Sequence, residues 1–234
     1  MAILSKEKIR RIVNANSHDP FSILGMHPIK DEKKVVVRAF KPRAKKAFLI
    51  ADELDEELEL KKIDEEGLFE KAVAEEEVFD YKLRFENYEG TSWETKDPYS
   101  FLPILSEYDR HLFNEGNHHE IYEKMGAHIK EVNGITGTHF TVWAPEAERV
   151  SVIGDFNNWD GRVHQMRVLG SSGVWEIFIP GLGEGEVYKF EIKTKNDDLL
   201  EKSDPYAFYA ELRPKTASIV YEVDDKYEWN DDQW

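Results

Sequence analysis

Cysteine is absent from the 234 residues, which removes disulfides, thiol nucleophiles and cysteine-ligated zinc together. No apolar run approaches the ~18 residues that a membrane-spanning helix needs, so no membrane is expected as a partner. Positive charge is also short: 31 Lys and Arg face 47 Asp and Glu, a net charge of −16. Binding a phosphate backbone depends on clustered cations, so the balance argues against nucleic acid and for a neutral or cationic ligand. The N-terminal stretch MAILSKEKIRRIV has neither the apolar core nor the small-residue cleavage site of a signal peptide. With the missing cysteines, this sets the expectation of a cytoplasmic protein.

What the chain does have, it has twice. The segment VVRAFKPRAKKAFLI lies over HFTVWAPEAERVSVI, with Pro42 on Pro145, Ala44 on Ala147, Phe40 on Trp143 and Ile50 on Ile153. Downstream, Gly67-Leu68-Phe69-Glu70 falls on Gly173-Val174-Trp175-Glu176, Tyr81-Lys82-Leu83 on Tyr188-Lys189-Phe190, and Asp97-Pro98-Tyr99 on Asp204-Pro205-Tyr206. The spacing grows from 103 residues at the first proline pair to 107 at the Asp-Pro pair. Solenoid repeats recur every ~20–50 residues, so each copy is a whole domain, near the usual domain size.

After Ser5, a plausible N-cap, Ile9, Ile12 and Val13 sit at helical spacing and predict a short leader helix. From Val35 the period becomes that of strands: Val35–Phe40, Ala47–Ile50, Leu58–Ile63, Leu68–Val73, Val78–Phe85 and Ser92–Thr95. The second copy repeats them as Thr138–Trp143, Arg149–Ile153, Val163–Val168, Val174–Ile179, Glu186–Thr194, Asp198–Lys202 and Ser218–Val223. Many short strands separated by turn signals predict an all-β protein of two tandem immunoglobulin-like β-sandwiches, with a short N-terminal helix and a connector. The expected division is 1–106 for helix and first sandwich, 107–134 for the connector with a helix from His119 to Met125, 135–223 for the second sandwich, and 224–234 for a tail.

Comparing the copies separates folding from function. Phe40/Trp143 and Phe69/Trp175 are shared and are expected in the cores. From Pro to Tyr the second copy is four residues longer, and the extra length falls around Gly154-Asp155-Phe156-Asn157-Asn158-Trp159-Asp160-Gly161. The first copy has only the acidic run 52–59 there, expected as a solvated surface. An indole face covers the apolar face of a pyranose while amides serve its hydroxyls. Trp159 is therefore the candidate sugar platform, with Asn157 and Asn158 as hydrogen-bonding neighbours; the alternative is that Trp159 closes its own core. Strand alternation turns Lys189 away from Tyr188 and Phe190, toward a glycan or simply toward solvent.

Phe140-Thr141-Val142-Trp143-Ala144-Pro145, then GDFNNW at 154–159 and Tyr188-Lys189-Phe190, resemble the family 48 carbohydrate-binding module of starch- and glycogen-active proteins. HDPFSILGMHP at 18–28, Leu112-Phe113-Asn114-Glu115-Gly116 with YEKMGAH at 122–128, and SDPYAF at 203–208 with Glu211-Leu212-Arg213-Pro214 resemble the N-terminal half of bacterial glycogen branching enzyme. The resemblance spans essentially the whole chain. It implies an additional N-terminal module, then the family 48 module beside a catalytic (β/α)₈ barrel, and an α-glucan as partner. The barrel carries the family's catalytic Asp and Glu residues, and no stretch here alternates strands with long helices as a barrel needs. No catalytic residue is assigned and no cofactor is expected. Kinase-regulating relatives carry another aromatic after the Tyr-Lys-Phe strand, whereas Thr194 to Leu200 has none, so weak glucan binding is expected. A purely structural pair docked on the barrel is the rival reading, and Tyr227, Trp229 and Trp234 suit it. A free-standing glycogen-binding regulator is a third.

Other candidates stay structural. His118-His119-Glu120 is not the H-E-x-x-H zinc signature, and no metal is assigned. His27 and His128 are expected in structural hydrogen bonds, the two Asp-Pro-Tyr segments in turns, and Gly181, Gly183 and Gly185 in a hairpin.

Overall fold

The computed structural model describes residues 4–29 and 32–223; the expected docking tail, with Tyr227, Trp229 and Trp234, lies outside them. Ser5 caps α1 (Lys6–Val13) by accepting a hydrogen bond from the Lys8 amide. There follow β1 (Gly25–Pro28), β2 (Val35–Phe40), β3 (Ala44–Ile50), β4 (Leu58–Asp64), β5 (Leu68–Val73), β6 (Lys82–Asn87) and β7 (Ser92–Lys96). They pair in the order β1-β2-β5-β4-β3-β6-β7. The sheet curls at β4, whose first residues pair with β3 and whose later residues pair with β5. The two layers so formed close on Val35, Val37, Leu49, Leu60, Phe69 and Phe85.

The second half contains α2 (Glu107–Asn114), β8 (Gly126–Val132), β9 (Ile135–Trp143), β10 (Ala147–Gly154), β11 (Arg167–Val168), β12 (Val174–Pro180), β13 (Val187–Thr194), β14 (Leu199–Lys202), β15 (Tyr209–Ala210) and β16 (Ser218–Ile219). One sheet runs β11-β12-β9-β8; the other runs β10-β13-β16-β15, with β14 on β13. Phe140, Val150, Val152, Trp175, Tyr188 and Phe190 fill the space between them. The strand expected from Val163 shrinks to β11 because the chain changes sheets there. The Val152 amide donates to His164 O and the Met166 amide to Val150 O, holding 164–166 to β10, whereas Arg167 and Val168 pair with β12. This is the same manoeuvre as in β4.

Four expectations are corrected. The connector helix forms at Glu107–Asn114, where Ser106 caps the Asp109 amide, and only a 3₁₀ turn (Ile121–Glu123) lies in the stretch from His119 to Met125. The strand expected from Val78 starts at Lys82, because Val78 is exposed in an acidic loop. Trp143 is 52% exposed although its counterpart Phe40 is buried. The glycines at 181–185 join β12 and β13, which belong to different sheets, so they form a crossover and not a hairpin.

The corrected connector proves to be a second leader. Ser5, Gly25 and His27 recur 101 residues later as Ser106, Gly126 and His128. Ala15 (φ 49°) and Gly116 (φ 74°) close the two helices in the left-handed region. The Asn16 amide donates to Arg11 O and the Asn117 amide to Leu112 O, while His27 and His128 bond Leu24 O and Met125 O. Two matching small cores form beneath: Leu4, Ile12, Leu24 and Leu68, then Leu105, Phe113, Met125 and Val174. Tyr81 donates to Asp97 at 2.6 Å and Tyr188 to Asp204 at 2.5 Å. Each aspartate also accepts from the amide of the tyrosine two residues on, the turn role expected of Asp-Pro-Tyr.

The two halves share a polar seam. Tyr99 Oη donates to Val163 O and accepts from the Gln165 amide; Gln165 donates to Ile12 O, Lys193 to Asn16, and Arg167 to Phe101 O. At its centre is Glu176, whose carboxylate meets His139 Nε2 at 3.0 Å, Arg167 Nε at 3.0 Å and the amides of Ile104 and Leu105 at 3.0–3.2 Å. Burial alone would raise its pKa, but those donors hold it below the ordinary glutamate value.

Candidate functional site

The Trp159 loop grows from the end of β10. A side chain at Gly154 would collide with Val187 O and the Phe156 ring, so close approach and not backbone freedom requires glycine. A 3₁₀ turn (Asp155–Asn157) follows, then Asn158 (φ 55°) and Trp159 (φ 58°), two successive left-handed residues. Phe156 packs on the core, with its ring 6.5 Å from Phe140 and 5.6 Å from His164. Trp159 is no part of that core cluster and remains 37% exposed. Its indole N–H donates to Asp155 Oδ1 at 2.8 Å, which holds the ring in one orientation.

Asn157 needs correcting. Its Oδ1 accepts from the Gly154 amide, and its Nδ2 donates to Val152 O and contacts His164 Nδ1 at 3.0 Å. It is buried, its amide is used up within the loop, and it is an internal tie instead of a sugar ligand. Burial first, then the Lys41 charge, pushes the His164 pKa down to about 3. The ring is therefore neutral, and accepting at Nδ1 places its proton on Nε2.

Asn158 is exposed beside Trp159. Lys189 lies across from Ile153 on β13, half-buried, with Nζ 3.5 Å from Glu201 Oε2. Between them Glu211 pairs with Lys215 at 2.9 Å, and the Lys189 charge adds a small lowering of the Glu211 pKa. The structure thus groups Trp159 with Asn158, leaves Lys189 apart from them on β13 beside Glu201, and withdraws Asn157. On the other flank Asp160 and Arg162 form a two-pronged pair, and Arg162 reaches Glu66 of the first half at 3.0 Å. Burial opposes ionisation of Asp160, but Arg162 and Arg43 outweigh it and lower its pKa.

Sequence reasoning missed Asp155, Arg162 and the first-half residues near the loop. Among the described residues no group of three His, Asp or Glu is arranged to hold a metal; His118 bonds Asp109 at 2.9 Å. The acidic run 52–59 is largely solvated, with Glu57 paired to Arg84.

Residues 5–99 match the family model of the "alpha-1,4-glucan branching enzyme GlgB, N-terminal domain", and residues 124–207 match "Carbohydrate-binding module 48 (Isoamylase N-terminal domain)". The chain belongs to the N-terminal region of the GlgB branching enzymes. It is 48% identical over 239 residues to the 1,4-alpha-glucan branching enzyme GlgB of Trichormus variabilis, covering 100% of this chain and 31% of that protein. Against the GlgB of Thermosynechococcus vestitus it is 49% identical over 235 residues, covering 99% and 30%. The chain thus spans about a third of the length of the GlgB relatives it matches. The Trp159 loop falls inside the family 48 match, and α1 and β1–β7 fall inside the GlgB N-terminal match.

Proposed function

We propose that this chain is the non-catalytic N-terminal portion of a cytoplasmic glycogen branching enzyme, made of two modules, the second beginning at its own leader near Ser106. Its work is to hold or orient α-glucan for a catalytic domain that cuts α-1,4 chains and transfers them to a 6-hydroxyl. The observation that carries this reading is Trp159: a fixed, part-exposed ring outside the core, on a loop that the first module lacks. Asn158 serves hydroxyls beside it, and Lys189 extends the surface. A single aromatic gives weak binding; β14, after the Tyr-Lys-Phe strand, presents exposed Leu199 and Leu200 in place of a second ring.

Two-dimensional NMR titration with maltoheptaose is the test. Saturable shifts at Trp159 that vanish in a folded Trp159→Ala variant are expected; no shift at millimolar sugar would refute the reading.

The module repeat favours docking as an additional role. In the first module Phe21 lies under Arg167, and Phe101 packs against Phe178 at 4.7 Å, so this face is covered by the second module. The counterparts Tyr122 and Phe208 are exposed beside His128 and Tyr221, around a cavity of about 380 Å³. That face suits the catalytic domain as its cover.

A further inference from the structure

Resting on the Trp159 reading, we propose that the glucan surface is bipartite, with its second wall supplied by the first module through Pro42 and Arg43, beside Lys41, whose ammonium turns in over the Phe85 and Trp93 rings. These residues form the turn between β2 and β3. Across a narrow cleft they face Phe156, Asn157, Asn158 and Asp160 of the Trp159 loop.

The turn itself is unusual in one of its two copies. Ala44 N bonds Lys41 O, and Ala147 N bonds Ala144 O, so both modules close a four-residue turn at the same place. In the first module Arg43 sits at φ 66°, whereas its counterpart Glu146 is not among the residues with positive φ. A left-handed third residue is ordinarily Gly or Asn, so a bulky arginine there is strained and points to a use for its side chain. The second module, at the same places, has Ala144 and Glu146, and neither cation. Folding the turn does not require Arg43, whereas Lys41 has a packing role of its own over Phe85 and Trp93.

Arg43 is exposed and makes no hydrogen bond or ion pair among the described residues, while its charge reaches Asp160. The Asn158 amide is exposed on the facing wall. Guanidinium, carboxylate and amide together supply donors and acceptors for adjacent sugar hydroxyls. The walls are held in register by Arg162 on Glu66, and by Tyr99 bonded to Val163 O and the Gln165 amide. At about 50 Å³ the cleft takes water and no pyranose. The glucan therefore lies across the rim, one residue stacked on Trp159 and a neighbour offering hydroxyls that replace cleft water. A neutral saccharide fits, since Asp155 and Asp160 beside the platform disfavour an anionic one.

The test is calorimetric and NMR titration of the full chain with maltotriose and maltoheptaose. Arg43→Gly is the informative variant, because glycine relieves the left-handed backbone and removes the guanidinium without threatening the fold. Expected are shifts at Arg43 and Asn158 on adding maltoheptaose, and a loss of about fivefold in its affinity in Arg43→Gly, roughly one net hydrogen bond. Maltotriose binding should change less, and Trp159→Ala should abolish both. If Trp159→Ala abolishes binding while Arg43→Gly binds maltoheptaose like the parent, the bipartite surface is overturned and the platform stands. If the parent chain binds neither sugar, the platform falls and the bipartite surface with it.

Discussion

Replacing Glu176 by alanine should loosen the whole chain, because one carboxylate secures three elements. It receives His139 from β9, Arg167 from β11 and the amides of Ile104 and Leu105 from the segment joining the modules. The residue is fully buried, and so is His139. Burial lowers the histidine pKa, so the cation left uncompensated is Arg167. Removing one partner of a buried ion pair costs about 3–5 kcal/mol. With a urea m-value of roughly 2–3 kcal/mol/M, the unfolding midpoint should fall by about 1–2.5 M. Circular dichroism and tryptophan fluorescence in urea measure it, and loss of the seam predicts that the two probes cease to coincide. Glu176→Gln keeps the shape and lowers the midpoint less. A Glu176→Ala midpoint within about 0.3 M of the parent, equivalent to less than ~1 kcal/mol, would refute the assignment of Glu176 as the central tie. The folded pKa is depressed, so this stabilisation is present above the ordinary glutamate value and is lost as pH falls through the folded one.

His164 gives the opposite acid signature to a salt-bridged histidine: its folded pKa, about 3, lies below the unfolded value. Its contribution is present above pH ~6.5 and drains as pH falls, by about 2 kcal/mol at pH 5. The stability deficit of His164→Gln measured in urea at pH 7 should therefore shrink by about that amount at pH 5, and an unchanged deficit would count against a buried neutral ring. Gly154→Ala should destabilise and displace Trp159, because the added carbon meets backbone at Val187 O; a thermal midpoint equal to the parent's would show that β10 can yield there. Trp159→Ala should leave stability within about 0.5 kcal/mol, while Trp175→Ala, deep in the core, should cost about 3–5 kcal/mol. Comparable losses in the two would place Trp159 in the core after all.

The strands were legible wherever a short apolar, β-branched or aromatic run is bounded by turn signals: Val35–Phe40 and Leu68–Val73 lie where those runs put them. The second leader was not, because α1 and α2 share caps and backbone angles instead of apolar letters. Ser5/Ser106, Asn16/Asn117 and His27/His128 survive while the helix faces between them diverge. Trp143 shows another limit: a shared aromatic position fixes a place in the strand and not what covers it. At the candidate site, Trp159 was legible from the inserted loop, but an amide serves a sugar or its own loop equally well, and only geometry assigned Asn157 inward. Arg43 was not legible from the inserted loop, because it stands out only as a residue that the first copy carries where the second has Glu146. What the first has and the second lacks was as informative.

One contact gives the chain an optical gauge. His18, carried by the first module, stands edge-on to the Trp175 ring in the core of the second, 5.4 Å away and at 84°. Trp93, Trp143 and Trp159 are at least partly open to water, while Trp175 is sealed. Parting the modules strips that edge and wets the ring, so a red shift in the emission contributed by Trp175, the one sealed tryptophan among the described residues, reports whether the two halves are still joined.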